Sequence, residues 1–203
     1  MDPKVNDNKI SELGWIPHKT YPKYSLLQYY STIGDYMITL ATAECFTYGQ
    51  IGTKIHKMAC GYDELKNNPY FKCINGNVKV MASMFIPSVY SAEKLLNIKL
   101  PEPDYQFDFA KVYSEENDLK VAYLMAKGIK NILNCDISIG TTAGVGRGGI
   151  CILTDKNKYL FTTDVYGDLI NKKNITQRQK SGIEKTIDNF VEILKEEFGI
   201  KII

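Results

Sequence analysis

The stretch Met37-Ile-Thr-Leu-Ala-Thr-Ala-Glu-Cys-Phe-Thr-Tyr-Gly49 decides the fold. Residues 37–41 are of the types that suit a strand, and they run directly into a turn over 42–49. From 49 to 60 the apolar residues Ile51, Ile55 and Met58 or Ala59 recur at helical spacing, and Gly61 stands where a helix-ending glycine is expected. A strand that passes through a tight turn into a helix opens a layered α/β domain, and here it places Cys45 in the turn.

Downstream, Asn75-Gly76 predicts a hairpin between strands at 70–74 and 78–84. Pro87, Pro101 and Pro103 break the chain around a short helical piece at 92–96. Ser114 is a good N-cap for a helix with Leu119, Ala122, Tyr123, Ala126 and Ile129 on one face, ending near Asn131. Buried strands at 137–141 and 149–153 flank a glycine-rich loop, and a turn at 155–158 leads into a further strand at 159–163. Thr176 with Gln179 reads as a capping box, and Ile183, Ile187, Phe190 or Val191, Leu194 and Phe198 mark the last helix. The alternation gives one α/β domain with a mixed sheet over 37–203.

Upstream, residues 1–36 hold three of the seven prolines, the single Trp15 and five tyrosines, with no sustained period. They read as an irregular arm, as upstream sequence included by start-codon choice, or as an arm that docks Trp15 and the tyrosines on the core. The whole chain of 203 residues is 44% hydrophobic and 24% charged, which is globular composition. With 25 Lys+Arg against 23 Asp+Glu, no excess of positive charge points to nucleic acid. No run of about 18 apolar residues suggests a membrane span, and 1–10 contains no signal-peptide core, so a cytoplasmic protein is expected. Cys45, Cys60, Cys73, Cys135 and Cys151 lack C-x-x-C spacing, which argues against a disulfide framework and a zinc site, and no metal is expected.

Cys45 is the sharpest candidate for chemistry. Near a helix N-terminus, unpaired N–H groups and the helix dipole favour a thiolate, so it reads as a nucleophile, or else as a small residue closing a tight turn. The other four thiols read as structural. His56 follows by eleven positions; with the helix beginning near Thr47 it lies nine residues along it, about 13 Å at 1.5 Å per residue, too far for a general base. Activation would then fall to the helix end, to Glu44 or to a lysine such as Lys94; Glu44 reads equally as an anchor accepting backbone N–H bonds. The second constellation is Gly140-Thr-Thr-Ala-Gly-Val-Gly-Arg-Gly-Gly149, five glycines in ten residues. Its N–H groups with Thr141, Thr142 and Arg147 suit phosphate or carboxylate, or the loop is a plain connection. It matches neither a Walker A loop nor a dinucleotide fingerprint.

The order Leu40-Ala-Thr-Ala-Glu-Cys-Phe-Thr-Tyr-Gly49, Val112-Tyr-Ser-Glu-Glu116 and Thr141-Thr-Ala-Gly-Val-Gly146 resembles the C-terminal domain of the CinA family, the nicotinamide-nucleotide amidohydrolases. Those enzymes carry an A-E-S-C-T-G-G turn, a V-S-E-E helix start and a T-G-I-A-G-P-G loop. The resemblance implies a three-layer α/β/α fold, and it puts Cys45 at the family's nucleophilic serine, with Phe46 and Tyr48 departing from the turn pattern. Tyr90-Ser-Ala-Glu-Lys94 matches that family's Y-S-N-E-A-K only loosely.

The stretch 37–47, the His56 helix, Ile86-Pro87 and Leu100-Pro-Glu-Pro-Asp-Tyr105 more closely resemble the uncharacterised-protein family 0254 of methanogens. That family includes a protein of iron-guanylylpyridinol (FeGP) cofactor biosynthesis for Fe-hydrogenase. This resemblance implies that Cys45 forms a thioester with the pyridinol carboxylate of guanylylpyridinol after a partner, HcgE, has adenylylated it. It further implies a homodimer, no permanently bound cofactor, Glu44 beside the catalytic cysteine, and ligand contacts from Thr42, Thr47, Gly49, Tyr90, Thr141, Thr142, Gly144, Gly146, Arg147 and Gly148. An amidohydrolase of nicotinamide mononucleotide is the alternative, and a nucleotide-binding module with a structural Cys45 the third reading.

Overall fold

A computed structural model describes residues 37–107 and 110–200; the readings of 1–36 lie outside the described residues. Among the described residues, seven strands and five α-helices follow one another. Strand β1 (Ile38–Glu44) leads to α1 (Gln50–Ala59), a 3-10 turn at Asp63–Leu65, α2 (Phe71–Ile74) and β2 (Val78–Phe85). Then come α3 (Val89–Leu96), α4 (Glu115–Leu133), β3 (Ile137–Thr142), β4 (Val145–Gly146), β5 (Gly149–Leu153), β6 (Lys158–Phe161), β7 (Gly167–Asp168) and α5 (Ile175–Phe198).

The main sheet has the order β2-β1-β3-β5-β6. β1 runs parallel to β2 and β3, whereas β5 is antiparallel to both β3 and β6, so the sheet is mixed. Because side chains alternate along a strand, β1 sends Ile38 and Leu40 to one face and Ala41 and Ala43 to the other. The first face is covered by α1 (Ile51, Ile55, Met58), α2 (Ile74) and α5 (Ile183, Ile187, Phe190). The second is covered by α3 (Ala92, Leu96) and α4 (Val121, Met125). The result is the three-layer α/β/α architecture. Among the described residues, no helix is long and apolar enough to cross a membrane.

Helix α4 lies unusually close to the sheet because the strands beneath it present small residues. Ser138 donates its hydroxyl to the Ala126 carbonyl at 2.8 Å, and a Cβ on Gly140 would stand 2.0 Å from the Ala122 oxygen. Cys151 is buried in the same contact, packed on Ala122 and Ala126, as its structural reading anticipated.

Two local expectations fail. Residues 71–74 form a helical turn instead of a strand, and β2 pairs in parallel with β1, so Asn75-Gly76 joins helix to strand and makes no hairpin. Gly76 still takes the left-handed φ of +72° that the turn requires, but Cys73 and Ile74 find their apolar neighbours beneath α1 and α5. The capping box at Thr176 is also absent: α5 starts earlier, at Ile175, with Asn174 in a left-handed conformation as a cap that makes no side-chain bond. The helix at 114 runs two residues beyond Asn131, and its deepest residues include Val121 and Met125, with Leu119 and Tyr123 half-buried.

Candidate functional site

The turn between β1 and α1 is organised by one carboxylate. Glu44 is fully buried, and each of its oxygens accepts two hydrogen bonds. Oε1 takes the Thr42 hydroxyl (2.8 Å) and the Gly52 N–H (2.9 Å); Oε2 takes the Thr47 hydroxyl (2.7 Å) and the Ile51 N–H (3.1 Å). The free N–H groups of α1 are thus capped by a side chain six residues ahead of the helix. Gly49 supplies the left-handed φ of +75° at the N-cap, and its carbonyl accepts the Ser83 hydroxyl. Glu44 therefore anchors the turn, with every lone pair it turns toward the turn in use.

Cys45 follows at once. Its N–H is held by the Thr141 carbonyl (2.9 Å) and by the Thr141 hydroxyl (3.2 Å), which also bonds the Thr47 hydroxyl (2.9 Å). The backbone of the cysteine is pinned to the end of β3 while its side chain is half-exposed. Cys73, Cys135 and Cys151 are buried; burial pushes their thiols up, that of Cys151 to about 12. Cys60 is exposed at the far end of α1, with His56 ring nitrogens 3.6 and 3.7 Å from its sulfur.

The glycine loop spans β3 to β5 and packs on the start of α4. A Cβ on Gly144 would lie 2.3 Å from the Tyr113 carbonyl oxygen, and one on Gly149 2.3 Å from the Asp118 backbone. Three of the five glycines, 140, 144 and 149, are thus required by close packing; Gly146 and Gly148 have φ of +133° and +75°. Arg147 turns away from the loop: its guanidinium binds both oxygens of Glu115 at 2.7 and 3.1 Å, and its N–H bonds Oε2 at 2.8 Å. That pairing holds the Glu115 carboxyl below the usual range.

Arg178, on α5, is the organiser of this loop that the sequence reading missed. It is almost fully buried, and its guanidinium donates to the carbonyls of Gly144, Gly146 and Gly167 at 2.8–3.0 Å, and to that of Ala143 at 3.4 Å. It lies 6.0 Å from the Phe46 ring and within electrostatic reach of Cys45, Tyr48 and Asp118. Asp118 accepts the Gly144 N–H at 2.8 Å through Oδ2, while its Oδ1 is buried without a hydrogen-bond partner. Burial pushes its carboxyl up to about 7, against the pull of the Gly144 N–H and of Arg178. The signal for Arg178 was compositional: the chain has 23 lysines but only two arginines, 147 and 178, and both meet this loop.

The structure brings Thr42, Glu44, Cys45, Thr47, Gly49 and Thr141 into one hydrogen-bonded turn, and sets Thr142, Gly144, Gly146, Arg147 and Gly148 in the adjoining loop. Thr42, Thr47, Thr141 and Thr142 are buried, so their hydroxyls shape the site from within. Tyr90 stands apart, 71% exposed on α3 with Lys94 above its ring. Tyr48 was not foreseen: it holds a left-handed φ of +53°, half-exposed, edge-on to the exposed Phe85 at 5.2 Å. Among the described residues no three His, Cys, Asp or Glu side chains converge to hold a metal.

A family model described as FeGP cofactor biosynthesis protein HcgF matches residues 37–194. The chain is 66% identical over 164 residues to a UPF0254 protein of Methanococcus aeolicus, covering 80% of this chain and 99% of that one. It is 58% identical over 166 residues to a UPF0254 protein of Methanocaldococcus jannaschii, covering 80% and 99%. Among solved structures, a competence or damage-inducible protein from Enterobacter asburiae aligns with a TM-score of 0.49 and 17% identity, covering 83% of this chain and 93% of that one.

Proposed function

The chain belongs to the HcgF family of FeGP cofactor biosynthesis proteins, and from that premise we propose that Cys45 is an acyl acceptor that carries guanylylpyridinol as a thioester. The observation that carries this reading is the setting of Cys45: three of the five cysteines are buried, whereas Cys45 keeps a partly exposed thiol on a backbone pinned by Thr141, in the turn that Glu44 anchors.

In the step proposed, HcgE first transfers the adenylyl group of ATP to the pyridinol carboxylate, and pyrophosphate leaves. The Cys45 sulfur then attacks the carbonyl carbon, a C–S bond forms, the C–O bond to the phosphate breaks, and adenosine monophosphate leaves with the electron pair. The thiol proton passes to solvent. Glu44 acts here as a positioning residue, since its oxygens already hold the turn. A thioester keeps the acyl group activated for later transfer, which a serine ester would do less well. The loop gripped by Arg178 continues from Thr141, which holds the Cys45 N–H, and guanylylpyridinol is cargo rather than a resident cofactor. The same reading has the protein act in the cytoplasm as a homodimer.

The test incubates the protein with guanylylpyridinol, ATP and HcgE and measures intact mass. A hydroxylamine-labile adduct on the wild type, absent from Cys45→Ala, is expected. No adduct on the wild type, or an adduct that persists in Cys45→Ala, refutes the reading.

A further inference from the structure

We propose that Tyr48 and Phe85 form an aromatic platform beside Cys45, which selects acyl groups carrying a planar aromatic ring. The substrate side of this proposal rests on the acyl-acceptor reading above; the platform is read from the two side chains and the backbone that carries them. A single exposed apolar residue is ordinary on a protein surface, but these two meet. Tyr48 is 49% exposed and Phe85 50%, with ring centroids 5.2 Å apart and planes at 87°.

The backbone at Tyr48 is strained. Its φ of +53° lies in the left-handed region, which four other non-glycine residues share among the described residues. Three of those four are asparagines, which tolerate it, whereas a bulky aromatic residue is an outlier there. A glycine would take the same conformation without strain, so the turn itself does not call for a tyrosine. Backbone strain of this kind gathers where a side chain is held ready for a ligand.

Both rings stand on fixed backbone next to the thiol. The Tyr48 N–H bonds the Cys45 carbonyl at 3.1 Å, closing the turn on the cysteine. The Gly49 carbonyl accepts the Ser83 hydroxyl at 2.9 Å and ties that turn to β2, where Phe85 follows Ser83 by two residues and so shares its face. In the parallel pairing of β1 and β2, Phe85 stands opposite Glu44, the residue before Cys45. Cys45 is therefore flanked along its own turn by Tyr48 and across the strand pair by Phe85. Aromatic rings gain from edge-to-face and offset contacts beyond the area they bury, and an incoming planar ring extends the Tyr48–Phe85 contact where a saturated ring of the same size does not.

The test offers the full chain, in a Cys60→Ser background, the acyl adenylates of benzoate and of cyclohexanecarboxylate, and follows Cys45 acylation by intact mass. Each rate is divided by that of the same donor with free N-acetylcysteine, which removes the donors' own difference in reactivity. The benzoyl group is expected to transfer about fivefold faster than the saturated one. Tyr48→Phe keeps that preference, whereas Phe85→Leu and Tyr48→Gly each lose most of it. Tyr48→Gly, freed of strain, should melt at or above the temperature of its parent, so its loss of preference is not a loss of fold. The platform is overturned by equal normalised rates, by a preference that survives in both Tyr48→Gly and Phe85→Leu, or by a dimer in sedimentation that comes apart in either variant, which would give the pair to a contact between copies. Acylation of Cys45 without preference removes the platform alone. If neither adenylate acylates Cys45, the acyl-acceptor reading falls and binding decides: in Cys45→Ala, benzoate should shift the Tyr48 and Phe85 ring resonances and cyclohexanecarboxylate should not, and no shift with benzoate removes the platform as well.

Discussion

Glu44 shows how one side chain fixes a site. An ionised carboxylate only accepts, and here four donors converge on it, two of them backbone N–H groups that cannot rotate away. Glu44→Gln must turn its NH2 toward either Ile51 N–H or Gly52 N–H, leaving a buried donor facing a donor. The expected cost is about 2–3 kcal/mol, read by denaturant unfolding, with slower adduct formation at Cys45 because the turn loosens. Asp118 is the reverse case, a carboxyl that burial raises to about 7. Its folded value lies above its unfolded one, so the folded state binds the extra proton, and stability falls as pH rises between about 4 and 7. Asp118→Asn removes that slope. The variant should match the wild type near pH 4 and exceed it at pH 8 by up to about 4 kcal/mol, since its amide stays neutral beside the unpartnered Thr142 hydroxyl. Equal pH dependence in the two proteins would show that Asp118 titrates normally.

At the scale of elements, the packing of α4 on β3 and β5 depends on what the strands lack. Gly140→Ala places a methyl 2.0 Å from the Ala122 oxygen, where only a shift of the whole helix makes room. It should cost about 3 kcal/mol or more, whereas Gly76→Ala, with φ of +72° but open space around it, should cost only about 1 kcal/mol. A thermal melt of the two variants makes the comparison. These contacts also show which elements could be read from the sequence. The strand–turn–helix around Cys45, the two buried strands that flank the glycine loop and the apolar stripe of α5 follow from local period, and all stand as expected. The parallel pairing of β2 does not, because Asn75-Gly76 has the same local chemistry whether a hairpin or a helix precedes it, and only the distant strand β1 decides. The capping box failed for a related reason: α5 starts where Asn174 bends the chain after β7, upstream of the motif. In the site, the turn residues were legible by type and spacing, but their roles were not. The glycines read as an anion cradle serve largely to admit α4, and Arg178 was invisible to periodicity because it lies 31 positions from the other arginine at the same loop.

At the scale of the molecule, we propose that the working unit begins at β1. β1 is an inner strand, bonded in parallel to β2 on one side and β3 on the other, and the Ile38 N–H already bonds the Asn77 carbonyl. The two main cores run from Ile38 to Leu194, and the family model matches 37–194. A chain of this length buries a core large enough to stand alone, at about 68–70% of its unfolded surface. Residues 37–203 produced without 1–36 should therefore melt within about 2 °C of the full chain, a shift of under 1 kcal/mol, and form the same adduct on Cys45. A cut four residues further on tests the reason as well as the result. Starting at Ala41 removes Met37, Ile38, Thr39 and Leu40, and with them the buried pair that faces α1 and the Thr39 bonds to Asp136 at 2.6 and 2.8 Å. That shorter chain should fail to fold. If instead 37–203 aggregates while the full chain is soluble, residues 1–36 supply part of the fold, and the domain is the whole 203 residues.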